Sequence, residues 1–240
     1  MKSALLKLDW AKDRLAELDG LFAALQSPPH FVWKIETDPT KGMVLRFGSR
    51  FQPPDVPMLL GDAFHALRSA LDHAIFALIN PKPNEVRKTQ FPISKNIAEL
   101  KVANAFTFIA AQKPKVAEVI LNGIRPTDQD NPMLFDIHNM DIINKHRLLL
   151  ATTTLSMTML PTVVDPSSNV SHRNVAQFKP GYRYTIPLGP IGSKITGKPS
   201  FSRTVIFTEQ GRFYGTEVRS TLKKAIRSVG EVLDRLKAST

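Results

Sequence analysis

A chain of 240 residues with 42% hydrophobic and 22% charged side chains has room for one large globular domain, or a core with a smaller appendage. The absence of cysteine excludes disulfides, thiolate metal sites and cysteine nucleophiles. No apolar run reaches the length of a membrane span, and the opening MKSALLKLDWAKDRLAE becomes charged too early for a secretory signal. A cytoplasmic protein is therefore expected, with no membrane partner.

The net charge of +11 is unevenly spread. Residues 1–150 carry 19 Lys+Arg against 16 Asp+Glu, whereas residues 151–240 carry 13 against 5. An excess of that size in the C-terminal part suits RNA or another polyanion, and equally a solvated basic face that aids solubility.

In chain order, residues 4–26 place Leu8, Ala11, Leu15, Leu18, Phe22 and Leu25 at spacings of three and four, which predicts a helix. Ser27-Pro28-Pro29 ends it. The β-prone runs His30–Glu36 and Met43–Phe51, separated by the loop Asp38–Gly42, predict a hairpin. Prolines 53, 54 and 57 lead into a second helix, Leu60–Leu78. Gln90–Ile93 reads as an extended anchor, and residues 96–111 and 114–122 as two helices split at Lys113-Pro114. Asn131-Pro132 is a good helix start, and that helix runs to about Leu150.

From Thr152 to Thr208 the composition turns to Thr, Ser, Val, Pro and Gly. Antiparallel strands are expected there, among them Leu155–Val164, Tyr182–Leu188 and Arg203–Phe207. Gly189–Ser193 reads as a turn between strands. Beyond Gly215, Val218, Leu222, Ala225, Val229, Val232 and Leu236 form an apolar stripe that needs a partner. The expected fold is α+β and mainly helical, in a single domain 1–240. Its helical core spans 1–151 and 214–238, with an N-terminal β-hairpin and a β-rich insertion at 152–213, and the C-terminal helix closes the bundle.

The chemistry concentrates on two helices. On Leu60–Leu78, the residues Leu60, Phe64, Leu67, Leu71, Ile75 and Leu78 form the core stripe. His65, Arg68 and Asp72 share a neighbouring edge at spacings of three and four, so they can interact directly. Gly61 lies on that edge and leaves room for another backbone or a ligand. Asp62, Ser69 and His73 lie further round. The later helix carries His138, Asp141, Lys145, His146 and Arg147 among apolar residues that nearly surround it, which predicts a central position. Buried charges there need charge-assisted partners, and Asp141 and Lys145 are the expected partners of the first edge across the bundle. No phosphate-binding glycine loop, nucleophile elbow or strict metal signature occurs.

Two resemblances attach to these residues. Arg68-Ser-Ala-Leu-Asp-His73 has the Arg-x4-His form of the HEPN superfamily, compact helical bundles that include metal-independent RNases. The longer pattern Gly61-Asp-x-x-His65-x-x-Arg68-x-x-Leu-Asp72-His73, followed by Lys145-His-Arg147, resembles a bacterial family with no assigned activity. Its second motif usually reads Asp-Lys-His-Arg, where this chain has Asn144.

The HEPN resemblance implies an RNA-binding protein in which His73 moves a proton and Arg68 steadies the scissile phosphate while a 2′-hydroxyl attacks it. That chemistry requires no metal and no cofactor. Five residues along a straight helix separate Arg68 and His73 by about 140°. A shared site would then draw on long side chains, a helix distortion or the second copy of a homodimer. Two other readings stand beside this one. In the first, the His/Asp/Arg/Lys residues are a non-catalytic network that holds the bundle as an interaction module. In the second, His65, Asp72, His138 and Asp141 hold the metal of a hydrolase.

Overall fold

The computed structural model describes residues 1–25, 31–49, 55–146, 151–159, 162–164, 171–172, 176–178, 183–198, 200–208 and 212–239. It is an α+β, mainly helical protein. Helix α1 (Lys2–Leu25) is followed by the hairpin β1 (Phe31–Asp38) and β2 (Gly42–Ser49), and then by α2 (Val56–Ile79). Three short helices come next: α3 (Ile97–Val102), α4 (Asn104–Gln112) and α5 (Pro114–Glu118). Helix α6 (Pro132–His146) precedes the strands β3 (Ala151–Met159), β4 (Thr162–Val164), β5 (Ser171–His172), β6 (Ala176–Phe178), β7 (Arg183–Gly189), β8 (Lys194–Thr196) and β9 (Ser200–Phe207). Helix α7 (Val218–Ala238) follows them. No described helix is long and apolar enough to cross a membrane.

The segment expected as one helix over 96–111 breaks at Ala103, which is extended and caps α4, while Asn96 caps α3 by accepting from the Glu99 N–H. The expected helix 114–122 begins with proline at its first turn and passes into a π turn over Val119–Ile124. Arg125 then adopts the left-handed conformation (φ 51°), and its N–H bonds the Ile120 carbonyl. Residues 147–150, which the sequence assigns to the end of α6, lie outside the described residues.

Helix α2 is the central element. Leu60, Phe64, Leu67, Leu71 and Ile75 are fully buried, and so are Ala63, Ala70 and Ala74 on the flanks. Small side chains there let α1, α6 and α7 approach from different sides. The central place expected for α6 thus belongs to α2. Helix α6 buries Leu134, Ile137 and Met140 but leaves Ile142 exposed.

Helix α7 buries all six residues of its predicted stripe. The ion pair between Arg219 and Asp19 ties it to α1, at 2.7 Å. Arg235 reaches the Gly123 carbonyl at the end of the π turn. Burial of that stripe in the same core as α1 and α2 makes the final helix part of the bundle.

The described strands form three antiparallel sheets, in the orders β1-β2-β7, β6-β3-β9 and β5-β4-β8. The N-terminal hairpin is therefore the start of a mixed-origin sheet. Strand β7 from the insertion pairs with β2, setting Leu45 against Ile186 and Phe47 against Tyr184. Leu45 and Phe47 centre a second small core with Trp33, Ile35, Tyr184, Ile186 and Leu188.

Strand β9 and the return after it dock on the bundle through aromatic contacts. Phe64 of α2 lies 6.3 Å from Phe207 and 6.0 Å from Phe213, ring centre to ring centre. Arg212 also pairs with Asp128 and with Asp136 of α6. Burial raises the Asp136 carboxyl above its usual range, and the Arg212 charge opposes that rise.

Candidate functional site

Three sides of α2 carry the polar residues singled out by the sequence, and each side has a different environment. The first side is an internal clamp. Residues 90–93 pass beside α2 outside any helix or sheet, so the peptide groups of Phe91 find their partners on side chains. Arg68 Nη2 donates to the Phe91 carbonyl at 2.9 Å, and the Phe91 N–H donates to Asp72 Oδ1 at 2.8 Å. Arg68 Nη1 lies 2.9 Å from the same carboxylate, so an i, i+4 ion pair grips one residue of the neighbouring segment at both ends. The Phe91 ring is itself in the core. The Arg68 side chain is only 8% exposed. Burial pushes its pKa down, and the charges of Asp72 and Asp141 oppose that shift.

On the second side α2 faces α6. His65 Nδ1 lies 2.8 Å from Asp141 Oδ1 across the interhelical gap. The Asp141 side chain is 3% exposed whereas His65 is 50% exposed, so the imidazole bridges a buried carboxylate and solvent. Its Nε2 lies 3.5 Å from Ser69 Oγ, one turn further along α2. Close approach of the two helices depends on Gly61. A Cβ at Gly61 would overlap the side-chain amide of Asn144 on α6, so the missing side chain makes room for a helix neighbour. Asn144 is the position at which this chain departs from the Asp-Lys-His-Arg pattern.

The third side opens onto a cleft of about 470 Å³ lined by Ser3, Asp72, His73, Phe76, Val86, Thr89 and Gln90. His73 is half-buried there, while Phe76 and Val86 expose apolar surface to the cleft. Arg68, turned to Phe91, is not among the lining residues. The Arg-x4-His pair thus points to two different surroundings, as the helical spacing implied.

The structure brings His65 to Asp141 and Arg68 to Asp72. Ser69, which the helical angles set further round, comes within reach of His65 through an i, i+4 relation legible in the spacing. His138 is half-buried on α6. The side chains of Lys145 and His146, and all of Arg147, lie outside the described residues. Among the described residues no three His, Asp or Glu side chains converge to hold a metal ion, so His65, Asp72, His138 and Asp141 do not form one donor set.

The arrangement defines a mainly helical α+β protein with a clamped central helix and a half-exposed histidine–carboxylate pair. No family model matches the chain, and no curated protein or solved structure is significantly similar to it.

Proposed function

We propose that the protein is an RNA-binding module in which the Arg68–Asp72 pair is architectural and the basic C-terminal part makes the contact. The observation that carries this reading is a set of uncompensated charges. Among the described residues Arg183, Lys194, Lys198, Lys223, Lys224 and Arg227 are exposed and make no ion pair, whereas Arg212 and Arg219 are spent on aspartates. Free surface cations release counterions when they meet a phosphate backbone, which gives affinity without sequence preference.

Fluorescence anisotropy with a single-stranded RNA is expected to show log affinity falling linearly with log salt. Replacing Lys223, Lys224 and Arg227 together by glutamate should weaken binding and flatten that slope by about 2, since each lost phosphate contact removes about 0.7. Affinity that ignores salt, or is unchanged in the triple variant, would overturn the assignment.

A second reading, metal-independent RNA cleavage, draws on the cleft at His73, whose imidazole makes no hydrogen bond among the described residues. The phosphate-stabilising cation would then come from a group other than Arg68, such as one on a second copy. Following RNA length in the same samples, with chelator and with His73→Ala, separates the two. Intact RNA throughout favours the module, and chelator-resistant cleavage lost in the variant favours the nuclease.

A further inference from the structure

We propose that Ser69, His65 and Asp141 form a nucleophilic relay that hydrolyses activated acyl esters, an activity separate from RNA binding. Three geometric facts converge. The nucleophile candidate Ser69 Oγ lies 3.5 Å from His65 Nε2, and the opposite ring nitrogen Nδ1 lies 2.8 Å from Asp141. The carboxylate is buried and the imidazole half exposed, so the orienting group is shielded while the base meets solvent. Ser69 and His65 are one turn apart on α2, and Asp141 reaches them from α6, so rigid helices hold all three.

A buried acceptor on Nδ1 holds the proton on that nitrogen and leaves the Nε2 lone pair aimed at the hydroxyl, which is the order of roles that nucleophilic relays share across unrelated folds. The 3.5 Å separation is the loose end of hydrogen-bond reach, and such pairs tighten when substrate binds.

The reaction balances without an external reagent. Ser69 Oγ bonds to the acyl carbon as its proton passes to His65 Nε2. Collapse of the tetrahedral adduct breaks the bond to the leaving oxygen or sulfur, which takes that proton from Nε2. Water then attacks the acyl-serine, gives a proton to Nε2 and releases the acid, and Ser69 Oγ recovers the proton. Asp141 accepts from Nδ1 in both steps and acts as a positioning residue.

The substrate class follows from the helix. In mid-helix the backbone N–H groups beside Ser69 are spent on carbonyls four residues back, so they offer little to an oxyanion. The relay therefore suits substrates whose leaving group departs easily, namely aryl esters and thioesters.

A serine-directed fluorophosphonate, with intact mass and peptide mapping, tests the nucleophile on the full chain. One adduct on Ser69 is expected, absent in Ser69→Ala and His65→Gln. Hydrolysis of p-nitrophenyl acetate should fall to background in both variants. In Asp141→Asn, kcat should drop about a hundredfold with KM unchanged, in the range that general acid–base assistance supplies. Ser69→Ala removes one half-buried hydroxyl and serves as the variant that folds, checked by its thermal melt. No adduct on the folded protein, an adduct elsewhere, or full hydrolysis by Ser69→Ala overturns the proposal. Salt-dependent RNA affinity in Ser69→Ala should match wild type, so either proposal can fail alone.

Discussion

Replacing Arg68 with methionine is expected to cost about 3 kcal/mol of stability, the lower end of what breaking a buried ion pair removes. The side chain keeps its length, so no large void opens. What is lost is the cation that holds the Phe91 carbonyl and sits against Asp72. The orphaned carbonyl alone accounts for about 1–3 kcal/mol. Asp72 is about one-third exposed, so water recovers part of its loss and keeps the total near the lower figure. Urea unfolding measures the change, and hydrogen exchange at the Phe91 amide locates it. A double-mutant cycle with Asp72→Asn should show the two residues coupled by about 1 kcal/mol or more. Wild-type stability in the methionine variant would remove the clamp from the account of the fold. It would also return Arg68 to the candidates for direct substrate contact.

Phe64→Ala should cost about 3–5 kcal/mol, as for other fully buried phenylalanines cut to alanine. The ring is completely enclosed and contacts both Phe207 and Phe213. Those two rings also pack on each other, 5.5 Å between centres, so Phe64 joins a three-ring cluster linking the bundle to β9 and its return. Loss of that cluster should appear in near-ultraviolet circular dichroism and in protease cleavage within 200–215 before the helices melt. Cleavage and melting at the same denaturant concentration would instead mark the bundle and insertion as one cooperative unit.

Much of the helical layout was legible because the apolar period is strong. Val218 to Leu236 on α7 and Leu60 to Ile75 on α2 are buried as their spacing implies. Pairing of β7 with β2 was not legible, since a long-range ladder leaves no local mark and either strand could have closed its own hairpin. Periodicity also misplaced the central helix. Helix α6 is apolar nearly all round in sequence, yet Ile142 faces outward, whereas the alanines of α2 make it the element others can approach.

On the polar side, helical angles placed His65, Arg68 and Asp72 on one edge. They could not show that the edge divides, with His65 going to α6 and the other two to Phe91. The signal lay in Gln90-Phe-Pro-Ile. A segment outside any helix or sheet leaves its peptide groups to find side-chain partners, as Phe91 does with Arg68 and Asp72.

The Arg219–Asp19 pair spans 200 residues, and α1 and α7 share one core. At synthesis rates of about 5–20 residues per second, α1 waits roughly 10–40 s for the helix that completes its packing. Helix α2 arrives far sooner and packs on α1, so until α7 is made the α1–α2 pair would present an uncovered apolar groove. Helix α7 is therefore the last described element to join the core that α1 begins. A nascent chain stalled before Val218 would expose that groove to chaperones or to other stalled copies.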